Sequence, residues 1–193
     1  LRIFLEKLGL LKKIDFELEE IGKPLDFNWD KCKLETVSFG HGITTTPLQA
    51  AAAYASLTNG GYFINPTIKL KKNLKITNRQ SIISKNTSNQ INKILRKVVT
   101  DKQGTGSFAD IFGYDVGGKT GTAKSYTNGN KNINTFISVF PTEKPKYVLL
   151  VILDDPKAAP HITYNYRGQM IKNILRNEAG WNSVYVAGKI IQN

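Results

Sequence analysis

Gly113-Tyr-Asp-Val-Gly-Gly-Lys-Thr-Gly-Thr-Ala-Lys-Ser-Tyr-Thr-Asn-Gly-Asn130 is the stretch that decides the fold. By letters, Gly113 to Thr120 satisfies a phosphate-binding loop, G-x-x-x-x-G-K-[ST]. Such a loop needs a helix opening at the lysine, so that the helix N-terminus and its N–H groups face phosphate. Residues 120–130 instead hold two glycines, three threonines and an Asn-Gly turn, which oppose a helix. Nucleotide binding through Gly113–Thr120 stays an alternative, with Asp154-Asp155 as its acidic partner. The favoured reading is a strand over residues 116–125. On a strand, Lys119, Gly121 and Ala123 point one way, and Thr120 and Thr122 the other. Two hydroxyls on one face can both donate to a carboxylate. Gly121 keeps the strand uncrowded for a substrate backbone, and Lys119 adds positive charge.

Outward from this stretch, residues 133–140 and 147–153 read as two further strands. The link Pro141-Thr-Glu-Lys-Pro-Lys146 is too short for a helical crossover, so these two should be antiparallel. Tyr147-Val-Leu-Leu-Val-Ile-Leu153 has no polar alternation and reads as buried on both faces. Before the strands the pattern is helical. Leu1, Phe4, Leu5 and Leu8 share one helix face, and Gly9 is placed to end it. Thr46, Pro47 and Gln49 predict a capping box opening a helix that runs to about Asn59, where Gly60-Gly61 stops it. Thr87 and Gln90 suggest a second box, before a helix over 88–100 with Ile91, Ile94, Leu95, Val98 and Val99 on its apolar face. Residues 183–191 read as a closing helix with Val184, Ala187 and Ile191 on one side. Residues 10–37 are mixed and polar, with Gly22 and Pro24 as breakers and Trp29 as an anchor. Helices, then consecutive strands, then a helix make an α+β chain, mainly helical over 1–113 and sheet plus helix over 114–193.

Composition narrows the function. The chain has 193 residues, 40% hydrophobic and 22% charged, which suits a globular protein. No apolar run approaches the ~20 residues of a membrane helix. One cysteine, Cys32, excludes an internal disulfide and a zinc ribbon, and reads as an inert packing residue. His41 and His161 lie far apart with no second ligand spaced near either, so no metal or cofactor is expected. The net charge of +12 permits a nucleic-acid-binding module as a third reading. Its lysines are scattered, though, rather than clustered with aromatics, so no nucleic-acid partner is expected.

Two further motif matches are decoys. Gly104-Thr-Gly-Ser-Phe-Ala109 has the letters of a dinucleotide loop but follows a helix and lacks the acidic residue ~20 positions on. Ser84-Lys-Asn86 matches S-x-N by letters, and chance explains it in a chain with nine serines and seventeen asparagines. Phe39 and Trp181 read as core or loop anchors.

Together, Ser38-Phe-Gly-His-Gly-Ile-Thr-Thr-Thr-Pro-Leu-Gln49, the alanine-rich helix, Asn59-Gly-Gly61, Gly104-Thr-Gly106, Val116-Gly-Gly-Lys-Thr-Gly-Thr-Ala123 and Ala179-Gly-Trp-Asn182 resemble one family. The chain is similar to the C-terminal half of the transpeptidase domain of class B penicillin-binding proteins, of the division-specific septal D,D-transpeptidase type. The likeness is weakest over 10–35 and 158–178. It implies the penicillin-binding protein and serine β-lactamase-like fold, an antiparallel sheet flanked by helices. It also implies nucleophilic acyl transfer, in which a serine attacks the D-Ala-D-Ala end of a peptidoglycan stem peptide or a β-lactam. By resemblance, Lys119 supplies positive electrostatics, and Thr120 and Thr122, with Gly121 between them, bind the substrate carboxylate. The Thr122 backbone N–H would be an oxyanion donor. His41 would sit in a structural loop. The implied partners are stem peptides, β-lactams and division-machinery membrane proteins, including a SEDS-type glycan polymerase. The implied place is the periplasmic face of the inner membrane, with an N-terminal helical anchor outside this chain.

The sequence departs from the family pattern in one respect. No serine is followed at the third position by lysine, and the family's S-x-N lies before the Phe-Gly-x-Gly segment rather than after it. Residue 1 is Leu and the first segment already reads as helix. The chain is therefore expected to be a C-terminal piece whose nucleophile, base and second motif precede Leu1. Alone it should be loosely packed and unreactive toward penicillin.

Overall fold

The computed structural model describes residues 1–19, 22–25, 29, 33–70, 80–125 and 131–193. Cys32 and the Asn128-Gly129 turn lie outside the described residues. The chain divides into two compact units, Leu1–Ser88 and Asn89–Asn193. The change from helical to strand sequence near residue 113 falls inside the second.

The first unit holds α1 (Arg2–Lys7), α2 (Lys33–Ser38) and α3 (Pro47–Thr58). Gly9, at φ +74°, ends the first helical segment as its position suggested. The box at Thr46 forms as read: Thr46 Oγ1 accepts from Gln49 N at 3.2 Å, and Gln49 Oε1 accepts from Thr46 N at 3.0 Å. Gln49 is 1% exposed because its Nε2 also donates to the carbonyls of Gly9 and Lys12, at 2.8 and 2.7 Å. One side chain thus caps α3 and ties down the segment after α1. The structure shows α2 where the sequence reads only as mixed and polar. The expected second box shifts. Ser84, set aside as a chance match, is the cap: its Oγ accepts from Thr87 N at 3.0 Å, and α4 spans Lys85–Thr100. Thr87 therefore lies inside the helix. Ser88, fully buried, donates to Leu57 O at 2.6 Å and accepts from Gly60 N at 3.0 Å.

The second unit is built on an antiparallel sheet of β1 (Gly117–Ser125), β2 (Lys131–Phe140) and β3 (Tyr147–Asp154), in the order β1-β2-β3. A hairpin of β4 (Tyr164–Tyr166) and β5 (Gln169–Ile171) and helix α5 (Ser183–Gln192) follow. The hairpin was not foreseen. Its turn residues Arg167 and Gly168 both have positive φ, +52° and +83°, as a tight two-residue hairpin loop demands.

On one face of the sheet, Phe136, Val151, Leu149 and Leu153 pack with Val184, Ala187 and Ile191 of α5, joined by Val99, Ala109 and Val116. The apolar stripe of α5 thus buries as its spacing predicted. The face of α4 needs correcting: Leu95 and Val99 are buried with Ser88 and Asn92, whereas Ile94 is 62% exposed. The buried row follows steps of four and three, and Ile94 falls off it. β3 also differs from expectation. Val151 alone of its residues is buried, and Tyr147 and Ile152 are exposed. Only the alternate set Leu149, Val151, Leu153 faces α5, and among the described residues no second strand pairs with β3.

α5 and the 3₁₀ turn Ser107–Ala109 touch backbone to side-chain-free backbone. A Cβ added at Gly188 would lie 2.2 Å from Phe108 O. Replacing a helical glycine by alanine ordinarily gains about 0.5–1 kcal/mol, but overpacking against backbone costs about 1–3 kcal/mol or more. Gly188→Ala is therefore expected to destabilise the unit by about 1 kcal/mol, the overpacking cost less the helical gain, in denaturant unfolding of the polypeptide carrying this chain. A stabilised variant would contradict the packing.

Candidate active site

β1 runs extended through Lys119, Thr120, Gly121 and Thr122. No helix opens at Lys119, which overturns the phosphate-loop alternative on its own criterion. The start of β1 is pinned. Arg96 of α4 donates to Val116 O at 2.7 Å and bridges to Asp110 and Asp115 at 2.9 and 3.0 Å. Asp115 in turn accepts from Thr142 N and Thr142 Oγ1 at 3.0 and 2.6 Å. These partly exposed ion pairs contribute mainly geometry, since such pairs are worth about 0–1 kcal/mol each.

The glycines before Lys119 are required by neighbours. A Cβ at Gly117 would lie 2.6 Å from Thr142 Cγ2 and 2.9 Å from Arg96 N, and one at Gly118 would lie 2.5 Å from Phe136 Cζ. Gly121 is similarly constrained, by Thr135 Oγ1 at 2.5 Å. The strand is thin because β2 and α4 occupy the space that side chains would take.

In the register, Thr120 lies opposite Phe136 and Thr122 opposite Asn134. Alternate residues of an antiparallel strand carry the ladder bonds, and the others point their N–H and C=O away. Gly121 O accepts from Thr135 Oγ1 on β2 at 3.3 Å, whereas Thr120 O accepts from Lys119 Nζ at 2.8 Å. Thr120 and Thr122 therefore belong to the outward set. Among the described residues no strand pairs with that edge.

Both threonines line a groove of about 340 Å³ together with Gln103–Thr105, Ser107, Tyr166, Arg176 and Glu178–Trp181. Lys119 is exposed and reaches the strand edge with its ammonium. The groove wall was not legible in the sequence. Tyr166 stacks on Trp181 at 5.4 Å and 21°, and the Arg176 guanidinium lies 5.3 Å from the Trp181 ring centre. Phe108 contacts Tyr164, Tyr166, Trp181 and Tyr185 behind them, at 5.4–5.6 Å. Trp181 is thus an anchor, as expected. Phe39 is not a buried one: it is 75% exposed and stacks on His41, in a segment where Gly40 and Gly42 both have positive φ.

Three asparagines hold the wall to the sheet. Asn134, fully buried, donates through Nδ2 to Asn177 O at 2.8 Å and Asn182 Oδ1 at 3.2 Å. Asn182 donates to Asn177 Oδ1 at 2.9 Å and caps α5 by accepting from Ser183 N at 2.6 Å. Asn134→Ala would remove the donor to the Asn177 carbonyl and leave Asn182 Oδ1 with Ser183 N alone, and should cost about 1–3 kcal/mol in unfolding experiments.

Among the described residues, no cluster of three or more His, Cys, Asp or Glu could hold a metal, and no helix is long and apolar enough to cross a membrane. A hydrogen bond from Arg167, aided by Ser107, holds the Tyr166 phenol below the usual tyrosine range against partial burial. Burial, with Tyr185 nearby, pushes Tyr164 up. In an alkaline absorbance titration, Tyr166→Phe should therefore remove signal at lower pH than Tyr164→Phe does. The reverse order would contradict this wall.

The chain matches the family profile described as penicillin binding protein transpeptidase domain over residues 1–177. It is 33% identical over 202 residues to the probable peptidoglycan D,D-transpeptidase FtsI of Caulobacter vibrioides, covering 98% of this chain and 32% of that protein. It is 32% identical over 192 residues to stage V sporulation protein D of Bacillus subtilis, covering 90% of this chain and 29% of that one. The chain thus spans about a third of the length of these relatives. Among solved structures, the transpeptidase domain of Burkholderia pseudomallei penicillin-binding protein 3 superposes with a TM-score of 0.73 at 24% identity, over 96% of this chain and 54% of that one. That likeness extends to the fold.

Proposed function

The chain belongs to the family of penicillin-binding protein transpeptidase domains, and from that premise we propose that it is part of a peptidoglycan D,D-transpeptidase in which β1 binds the substrate. The observation that carries the reading is the pair of hydroxyls, Thr120 and Thr122, on one face of a strand whose outer edge is open to a groove. A peptide ending in D-Ala-D-Ala can lie along that edge, with its terminal carboxylate accepting from both hydroxyls. Charge-assisted bonds of this kind are roughly twice as strong as neutral ones.

In this reading a serine outside these 193 residues attacks the carbonyl carbon of the penultimate D-Ala. The Thr122 N–H, on the outward set of β1, is one donor to the oxyanion. The C–N bond breaks, D-Ala leaves as the amine, and an acyl-enzyme ester remains. The amine of a neighbouring stem then attacks the ester, forming the cross-link and releasing the serine. A β-lactam follows the first half by opening its ring. Lys119 keeps a positive charge at the strand edge, near both the carboxylate and the reacting centre. Relatives named as probable peptidoglycan D,D-transpeptidases support action on the cell wall. Membrane-bound division proteins, a glycan polymerase among them, and the periplasmic face of the inner membrane complete the proposal. The nucleophile motif, in this reading, comes from a preceding part of the polypeptide, so residues 1–193 alone form no covalent penicillin adduct.

In the longer polypeptide, Thr122→Val keeps the β-branched shape and the backbone donor but removes one hydroxyl. Penicillin acylation should slow about ten- to a hundredfold, the worth of one hydrogen bond to a charged group. Lys119→Ala should slow it at least as much. Unchanged acylation rates in both variants would sink the reading.

A further inference from the structure

Thr105 lies in the loop between α4 and the 3₁₀ turn, and its Oγ1 sits 2.9 Å from Thr120 Oγ1. The loop holds it firmly. Gly106 N donates to Val98 O and Gly104 N to Asp101 O, each at 2.9 Å, and Gln103 N donates to Asp101 Oδ1 at 2.9 Å. Arg167 of the hairpin turn donates to Asp101 O. A Cβ at Gly180 would lie 2.9 Å from Thr105 O, so the groove wall packs directly on the Thr105 backbone. Thr105 is thus fixed by its loop on one side and by the Gly180 backbone on the other, with its hydroxyl on Thr120.

A hydroxyl carries one proton and two acceptor lone pairs. When two hydroxyls meet, one proton lies between the oxygens and the other is released to a third group. If Thr105 gives its proton to Thr120 Oγ1, the Thr120 proton is committed elsewhere. An oxygen that accepts one hydrogen bond also becomes a better donor in the next. Thr120 is half-buried and lines the groove with Thr122, so an acceptor in the groove is the available partner.

We propose that Thr105 is a positioning residue for anion recognition on β1: it donates to Thr120 and so turns the Thr120 hydroxyl into an obligate donor toward a carboxylate in the groove. Thr120 and Thr122 then supply one donor to each carboxylate oxygen. The proposal rests on the reading of β1 as a carboxylate-binding strand, and its test separates the two.

The test uses the longer polypeptide and two probes, an acylated L-Lys-D-Ala-D-Ala peptide and its C-terminal amide, each competed against penicillin labelling. Thr105→Val should weaken binding of the acid about three- to tenfold, the worth of one neutral hydrogen bond. Binding of the amide should change by less than twofold. Thr105→Ser should restore the acid to near the wild-type value, and Thr105→Ala, which removes the methyl as well, should behave like the valine variant. Equal weakening of acid and amide would show a merely structural role and overturn the proposal, as would unaltered acid binding in both the valine and alanine variants. If Thr122→Val also fails to distinguish acid from amide, the carboxylate reading itself falls, and this proposal with it.

Discussion

The close pairing of a nearly side-chain-free strand with β2 is the constraint on which the second unit depends. Gly117 and Gly118 let β1 come within reach of Thr142, Arg96 and Phe136, where any Cβ would collide. That approach sets the register, and the register puts Thr120 beside Phe136 and Thr122 beside Asn134. Phe136, wholly buried, sits in the core with Val184 and Ala187 of α5. Asn134 binds the segment that leads into α5. The same two positions of β2 therefore anchor the core and the groove wall. A shift of one residue would turn both hydroxyls to the other face.

Functional geometry follows from this with little further machinery. The Arg96–Asp115–Thr142 network fixes where β1 begins, and the asparagine knot fixes the loop that carries Trp181. Between them lies a strand edge, unpaired among the described residues, with two hydroxyls and an ammonium. An edge strand is usually a hazard, because its free N–H and C=O groups invite pairing. In the proposed function the same property offers a template on which an extended peptide adds, with backbone bonds giving affinity and the hydroxyls giving selectivity.

Legibility in the sequence tracked the range of the interactions involved. The Thr46–Gln49 box, the α5 stripe and the antiparallel strands depend on neighbours within a few residues or on short links, and were readable. Ser84 was misread because two hydroxyl residues, three apart, can each cap a helix, and only the surrounding packing chooses. The burial of β3 was overread because an apolar run does not say which face will meet α5. The β4–β5 hairpin escaped because strands of three residues carry little pattern. Their support comes from Phe108, Trp181 and Tyr185, which are distant in sequence. Of the proposed site, Lys119 through Thr122 are named from the β1 sequence alone. Thr105, Tyr166, Arg176 and Asn134 are not, since each gains its place through a tertiary contact. A partial signal was present in the glycines flanking Thr105, which let the loop close on Val98.

The most direct measurement is a crystal structure of the longer polypeptide carrying a penicilloyl group. The account predicts the ligand carboxylate within hydrogen-bonding distance of both Thr120 Oγ1 and Thr122 Oγ1, and the ligand backbone antiparallel along the open edge of β1. A carboxylate held elsewhere, with Thr120 and Thr122 facing solvent or core, would contradict it.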